Sequence, residues 1–106
     1  MDVRSLKFFI EVAREGNIGR AAAGLHLSSR TVTRQIQTLE EDMGVVLFSR
    51  SSAGVELTLA GETLLRHAHQ IIASMDMAAD HVRGIGQGRL NVGAYGTALF
   101  NIIPEI

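Results

Sequence analysis

The chain has 106 residues, of which 46% are hydrophobic and 20% are charged, and its formal net charge is -1. A chain of this length can build one modest hydrophobic core, too small for an enzyme with a deep cleft of its own. Because the net charge is close to zero, any nucleic-acid site must be a local cluster of basic residues. The sequence contains no cysteine, which excludes disulfides, thiolate zinc sites and cysteine nucleophiles within these residues.

Two patterns typical of secreted and membrane proteins are missing from these residues. The opening stretch MDVRSLKFFIEVAREG has polar side chains every few positions, and it lacks the apolar run and the cleavage site of a signal peptide. No run in the sequence approaches the roughly 18 apolar residues that a membrane span needs. We therefore expect a soluble, cytoplasmic protein.

The first two predicted helices are close together in the sequence. Asp2 is a good N-cap residue, and Gly16 ends the first helix. The apolar positions of this helix follow the i, i+3, i+4, i+7 pattern and are Leu6, Phe9, Ile10 and Ala13. Asn17 then caps a short alanine-rich helix from Ile18 to Leu25, whose small side chains would let a neighbouring helix approach closely.

The third predicted helix follows after a turn of three or four residues. Either Ser28 or Ser29 can cap its N-terminus, and the helix runs to about Met43, where Gly44 supplies a stop. Its apolar stripe consists of Val32, Ile36 and Leu39. Two helices joined by so short a turn form a helix-turn-helix.

A hairpin and a long helix complete the pattern. The runs VVLFSR and VEL flank SSAG and predict a two-stranded hairpin, the wing of a winged helix-turn-helix. Thr58 can then cap a helix from Leu59 to Arg83, about 37 Å long at about 1.5 Å per residue. Its apolar positions alternate by four and three residues, as in a coiled-coil seam, and are Leu64, Ala68, Ile71, Met75, Ala78 and Val82. This seam predicts dimerisation through the long helix.

The predicted fold is therefore mainly α, with three helices and a two-stranded wing followed by a long dimerisation helix. We assign residues 1–58 to the winged helix-turn-helix domain and residues 59–83 to the linker helix. The segment GIGQG predicts a hinge over residues 84–89. Residues 90–106 alternate like a strand and then begin a new element, so we expect them to open a second domain that is truncated here.

The third helix carries its charges in reverse order. Arg30 and Arg34 occupy its first turns, although a helix macrodipole favours acidic groups there, and Glu40, Glu41 and Asp42 come last. On a helical wheel the two arginines lie opposite the apolar stripe, together with Thr33 and Gln37. The stretch from Ile18 to Thr38 contains Arg20, Arg30 and Arg34 and no acidic residue. A recognition helix that enters the major groove of DNA by its N-terminal turns explains this order, because the acidic residues then lie past the groove.

Several separated motifs in the right order carry a family resemblance. The run from Leu6 to Phe9, then NIGRAAAGLHLSSRTVTRQIQTLEEDMGVVLFSR, then LTLAGETLLRHA resembles the N-terminal domain and linker helix of LysR-type transcriptional regulators. The resemblance covers Met1 to about Arg83, and GRLNVGAYGTA with NIIPEI is similar to the start of that family's effector-binding domain. It implies a winged helix-turn-helix, antiparallel pairing of linker helices in a homodimer, possible tetramers of the intact protein, and a small-molecule co-inducer bound outside this fragment.

The resemblance also implies which residues face DNA. On the recognition helix they are Ser28, Ser29, Arg30, Thr31, Thr33 and Arg34. Arg50 matches the arginine of the LFxR motif, which contacts phosphate or the minor groove, and Thr58 matches the threonine of LTxAG. We add Arg20 and Gln37 from their charge and position. The chain departs from the family where Ser29 and Arg30 replace a glutamine and a proline, and where Gly19 and Gly24 replace larger residues.

Other functions remain as alternatives at this stage. A protein-interaction module that uses the long helix is the main one, and an enzyme is a distant third because no coherent catalytic set is present. His67 and His69 are two residues apart and diverge by about 200° on a helix, so we expect no metal site there. The predicted partners are operator DNA of approximate two-fold symmetry and a second copy of the chain, with no cofactor in this fragment.

Overall fold

The computed structural model describes residues 1–86, and the statements below refer to that part of the chain. It has four helices and one hairpin, in the order α1 Val3–Glu15, α2 Ile18–Leu25, α3 Ser29–Met43, β1 Phe48–Ser51, β2 Gly54–Leu57 and α4 Leu59–Gly86. A first compact unit extends from Met1 to Ile72, and a second unit starts at Ala73. The prediction of a mainly helical, winged helix-turn-helix fold is confirmed.

Side-chain caps define the ends of α1. The Asp2 carboxylate accepts a hydrogen bond from the Ser5 N–H at 2.8 Å, and the Ser5 hydroxyl oxygen accepts one from the Asp2 N–H at 2.9 Å. The bond from the Ser5 N–H lowers the pKa of the Asp2 carboxyl below its ordinary value. Gly16 ends the helix with a φ of 66°, a left-handed conformation that glycine adopts at no steric cost. Both predicted boundaries are confirmed.

The two helices of the helix-turn-helix are capped in the same way. Asn17 Oδ1 accepts a hydrogen bond from the Arg20 N–H at 2.8 Å, and Ser28 Oγ accepts one from the Thr31 N–H at 3.1 Å. Ser28 is therefore the N-cap residue of α3, which resolves the choice that the sequence left open. His26 closes α2 in a left-handed conformation with a φ of 59°. The chain can thus reverse direction within three residues of Leu25.

The core of the first unit lies between the three short helices, the hairpin and the start of α4. Its fully buried side chains include Phe9, Val12, Val32, Leu39 and Leu47. The rings of Phe9 and Phe48 are 5.3 Å apart and tilted, so α1 packs directly on the first residue of the wing. These aromatic side chains are core residues and do not form a base-stacking platform.

The wing starts later than the sequence pattern predicts. β1 and β2 are antiparallel and pair Phe48 with Leu57 and Arg50 with Val55, but Val45 and Val46 precede the strand and are exposed. Two side chains and one backbone bond, from the Thr58 N–H to the Leu47 carbonyl at 2.9 Å, hold the segment before the strand. The Glu40 carboxylate accepts from the Leu47 N–H, and the Val46 carbonyl accepts from the Thr58 hydroxyl at 2.6 Å.

Helix α4 extends past its predicted end. It begins after Thr58, whose hydroxyl oxygen accepts a hydrogen bond from the Gly61 N–H at 3.1 Å, as predicted for its cap. It continues to Gly86, so residues 84–86 of the predicted hinge are helical. Glycine disfavours a helix by about 1 kcal/mol relative to alanine but keeps the N–H that the helix needs. The rest of the predicted hinge and the predicted second domain, residues 90–106, lie outside the described residues.

Two of the six predicted dimerisation residues belong to the core of the first unit. Leu64 is 7% exposed and Ala68 is 0% exposed, and both pack in the hydrophobic cluster of the winged domain. The prediction that they form a dimer seam is therefore wrong for these two positions, because the fold itself covers this part of the stripe. Ile71, Met75 and Val82 are exposed, as is Ala78.

No helix of the described chain is both long enough and apolar enough to span a bilayer.

Candidate nucleic-acid interface

Helix α3 has one face in the core and one in solvent. Val32, Ile36 and Leu39 are 0%, 3% and 1% exposed. At about 100° per residue, Arg30 and Arg34 are about 40° apart and each about 160° from Val32. Both arginines are exposed, so the predicted orientation of the helix is confirmed.

These two arginines make no ion pair or side-chain hydrogen bond with any other residue of the described chain. Arg14 provides the contrast, because it is bonded to Glu11 and lies 3.1 Å from a Glu15 carboxylate oxygen. These contacts raise the pKa of the Arg14 guanidinium. The first turn of α3 also has no acidic residue. The guanidinium groups of Arg30 and Arg34 are therefore open to an external anion or hydrogen-bond acceptor.

The acidic end of α3 has a structural role that the sequence did not reveal. The Glu40 carboxylate accepts hydrogen bonds from the N–H groups of Leu47 at 2.8 Å and Phe48 at 3.3 Å. Asp42 lies 3.0 Å from the amino group of Met1. The reversed charge order of α3 thus combines unpaired cations at its start with anions that hold neighbouring backbone at its end. No local motif marks Glu40, because its partners lie seven and eight residues further along.

Arg20 and Arg50 are basic residues outside α3, on α2 and on β1 of the wing. The Arg20 guanidinium is 3.8 Å from a Glu15 carboxylate oxygen. The Gly16 carbonyl accepts a hydrogen bond at 3.1 Å from the N–H of Val55, which is the cross-strand partner of Arg50. Both arginines are exposed. The winged domain thus carries two further exposed basic side chains, separate from the pair on α3.

The predicted hydroxyl-bearing residues divide into two groups. Ser28 and Thr31 are 2.9 Å apart through their side-chain oxygens at the start of α3, and Thr58 bonds to Val46 and Gly61, so the fold uses all three. Ser29 is exposed and Thr33 is partly buried on α3. The remaining predicted contact, Gln37, is exposed about one turn after Arg34. Ser28, Thr31 and Thr58 thus have structural roles whether or not they also contact DNA.

Residues 1–86 contain no group of three or more His, Asp or Glu side chains placed to hold a metal ion. His67 and His69 are both exposed on α4. The basic face of α3 carries two exposed arginines without an ion-pair partner in residues 1–86.

The described residues form a winged helix-turn-helix of the kind found in transcription regulators. It consists of two helices joined by a tight turn, followed by a wing, and its second helix has an outward basic face. The sequence profile described as "Bacterial regulatory helix-turn-helix protein, lysR family" matches residues 3–62. The chain belongs to this family. The match confirms the resemblance to LysR-type regulators that the sequence motifs carry.

The individual comparisons agree with this assignment. The chain is 45% identical over 107 residues to the transcriptional regulator ClcR of Pseudomonas putida, an alignment that covers 98% of this chain and 36% of ClcR. It superposes on the CbnR DNA-binding domain in a complex with DNA with a TM-score of 0.78 and 45% identity, covering 81% of this chain and 99% of that one. It also superposes on the BenM DNA-binding domain in a complex with catB site 1 DNA, with a TM-score of 0.82 and 30% identity. That alignment covers 86% of this chain and 98% of the BenM chain. The chain spans about a third of the length of the first curated relatives.

Proposed function

We propose that this chain is the DNA-binding module of a bacterial transcription regulator and binds operator DNA as a homodimer. The N-terminal turns of α3 enter the major groove, and the wing contacts the adjacent backbone or minor groove. The observation that carries this proposal is the pair Arg30 and Arg34, which are exposed on the outer face of α3 and have no anionic partner within residues 1–86. Similarity to the CbnR and BenM domains, both solved with DNA, supports it.

The contacts divide by position. Arg20 and Arg50 neutralise phosphates beside the groove, because both are exposed cations that lie outside α3, on α2 and on β1. On α3, Ser29, Thr33 and Gln37 extend the polar surface around the arginines. Ser28, Thr31 and Thr58 mainly position the backbone, although a hydroxyl that donates one hydrogen bond can still accept another.

Helix α4 is the proposed dimerisation element. Ile71 is exposed near the end of the first unit, and Met75, Ala78 and Val82 are exposed on the later turns. Large apolar side chains on a helix of 28 residues favour burial against a second copy of the helix. Two copies would present two recognition helices to an operator with approximate two-fold symmetry, and the intact protein could assemble further into a tetramer.

The remaining parts of the proposal concern the intact regulator. The first curated relatives are almost three times as long as this chain, which leaves room for a domain that binds a small-molecule co-inducer outside the described residues. We place the protein in the bacterial cytoplasm, where its operator would be. We also propose the division into a DNA-binding domain over residues 1–58, a linker helix that reaches at least to Gly86, and the start of an effector domain in residues 90–106.

The test is a fluorescence-anisotropy titration of a mixed-sequence duplex with the 106-residue chain at several salt concentrations. If Arg20 and Arg50 of both protomers contact four phosphates, raising the salt from about 50 to 200 mM weakens binding about 100-fold through counterion release. A flat salt response contradicts the proposal.

One specific observation favours a second function, a protein-interaction module, namely the exposed apolar side chains of α4. Analytical ultracentrifugation with and without duplex separates the two functions. A dimer that does not co-sediment with DNA supports the interaction module.

A further inference from the structure

The two arginines of α3 lie one helical turn apart on the same face. Arg30 is the second residue of α3, directly after Ser29, and Arg34 follows four residues later. Four residues span about 6 Å along a helix axis, whereas successive base pairs are about 3.4 Å apart. A helix lying along the major groove would therefore bring the two guanidinium groups to base pairs one or two steps apart.

Nothing in the described fold accounts for this pair. Cations in the first turns of a helix oppose its macrodipole, and like charges at i, i+4 repel each other. The fold offers no compensation, because α3 has no acidic residue in its first turn and neither guanidinium has an anionic partner in residues 1–86. The pair is unfavourable in the free protein and becomes favourable only when an acceptor-rich ligand meets this face.

Phosphate neutralisation has other candidates in this unit. Arg20 lies against Glu15, and Arg50 pairs across the wing with Val55, whose N–H bonds to Gly16. Neither lies on α3, because Arg20 is on α2 and Arg50 is on β1 of the wing. The central pair is thus available for base edges, and guanine is the base whose O6 and N7 acceptors match a guanidinium with two parallel hydrogen bonds.

Resting on the proposed function, we propose that Arg30 is a specificity-determining residue that reads a guanine in the major groove, one or two base-pair steps from a guanine read by Arg34. Each guanidinium donates two hydrogen bonds, to O6 and N7 of its base. Every operator half-site then contains two guanines at this spacing, on one strand or on opposite strands. Arg20 and Arg50 hold the phosphates on either side.

The first experiment selects bound sequences from a random duplex pool with the wild-type chain and with Arg30→Ala, Arg34→Ala and Arg83→Ala. Arg83 is the matched control, because it is an exposed arginine near the end of α4, paired with Asp80. We expect Arg30→Ala to lose the guanine preference at one half-site position, Arg34→Ala to lose it at a neighbouring position, and Arg83→Ala to keep both. Equal weakening on all sequences with an unchanged preference would make Arg30 a phosphate anchor and overturn the inference.

The second experiment replaces the guanine assigned to Arg30 by 7-deazaguanine, which has a C–H in place of the N7 acceptor. A good bidentate contact corresponds to about 5- to 150-fold in affinity, so we expect wild type to lose on the order of 10-fold with this duplex. Arg30→Ala should show no further loss, whereas Arg34→Ala should lose as much as wild type. Equal sensitivity of Arg30→Ala and wild type overturns the inference while leaving DNA binding intact. If the wild-type chain enriches no sequence at all, the proposed function itself fails.

Discussion

The carboxylate of Glu40 accepts a hydrogen bond from the N–H of Leu47 at 2.8 Å, which joins the last turn of the proposed recognition helix to the start of the wing. The same oxygen is 3.3 Å from the N–H of Phe48. Leu47 is completely buried, so its N–H has no access to water and needs a protein acceptor. The Glu40 side chain therefore ties the last turn of α3 directly to the start of the wing.

We predict that Glu40→Ala lowers the free energy of unfolding by about 1–3 kcal/mol, since it removes a charge-assisted hydrogen bond and leaves a buried N–H unsatisfied. The measurement is urea denaturation followed by circular dichroism. Glu41→Ala is the matched control, because Glu41 is exposed and unbonded in the described chain. It should be neutral or slightly stabilising, because it removes an anion from the negative end of α3. Equal stability of the two variants would contradict this role of Glu40.

The second prediction concerns the contact between α4 and the segment before the wing. A Cβ atom at Gly61 would lie 2.2 Å from the Leu47 carbonyl oxygen and 2.8 Å from a Leu57 methyl carbon. Because backbone must move to relieve the first contact, we expect Gly61→Ala to destabilise the fold by at least about 1–3 kcal/mol.

Gly24→Ala is the matched substitution with the opposite expected sign. Its Cβ would meet only the far end of the Glu11 side chain at 3.2 Å, and alanine is the better helix former. We expect a gain of about 0.5–1 kcal/mol in thermal or urea denaturation. A stabilising Gly61→Ala would show that α4 does not need this close approach.

The sequence predicted the features that depend on neighbours in the chain. The caps at Asp2, Asn17 and Ser28 each bond to a backbone N–H three residues ahead, so short motifs reveal them. The apolar stripe of α3 likewise identified its buried and outward faces.

The features that the sequence did not predict depend on packing. The contact of Glu40 with Leu47 has no local signal, and the stripe on α4 looks the same whether it packs on its own domain or on a second helix. Leu64 and Ala68 pack on their own domain, whereas the later positions remain exposed. The heptad pattern is the same for the buried and the exposed positions, so only the structure shows which of them pack on their own domain.

The third prediction uses the lowered pKa of Asp2. Its carboxylate accepts the Ser5 N–H in the folded state, so the folded pKa lies below the unfolded value. The resulting stabilisation is fully present above the unfolded pKa and is lost as the pH falls through the folded pKa. Asn can cap a helix but does not titrate. We therefore expect the stability difference between wild type and Asp2→Asn to shrink below about pH 4, near the ordinary aspartate pKa.

Urea denaturation at several pH values measures this difference. Glu41→Gln serves as the reference, since it removes a carboxylate that caps no helix in the described chain. The free energies of unfolding of wild type and Asp2→Asn could also differ by the same amount at every pH from about 7 to 2. That result would rule out the carboxylate cap as a source of pH-dependent stability.

The last prediction separates stability from binding at Arg30. This side chain opposes the macrodipole of α3 and repels Arg34, so Arg30→Ala should raise the free energy of unfolding of the DNA-free protein by about 0.3–1 kcal/mol. The gain should shrink at high salt, where exposed charges are screened. Arg14→Ala is the matched comparison. Arg14 lies in the last turn of α1 beside Glu11 and Glu15, where a cation stabilises the helix, so this substitution should lower the free energy of unfolding. Urea denaturation at low and high salt measures both variants. If Arg30→Ala instead destabilises the free protein, the arginine has a partner within the fold and is not held free for DNA.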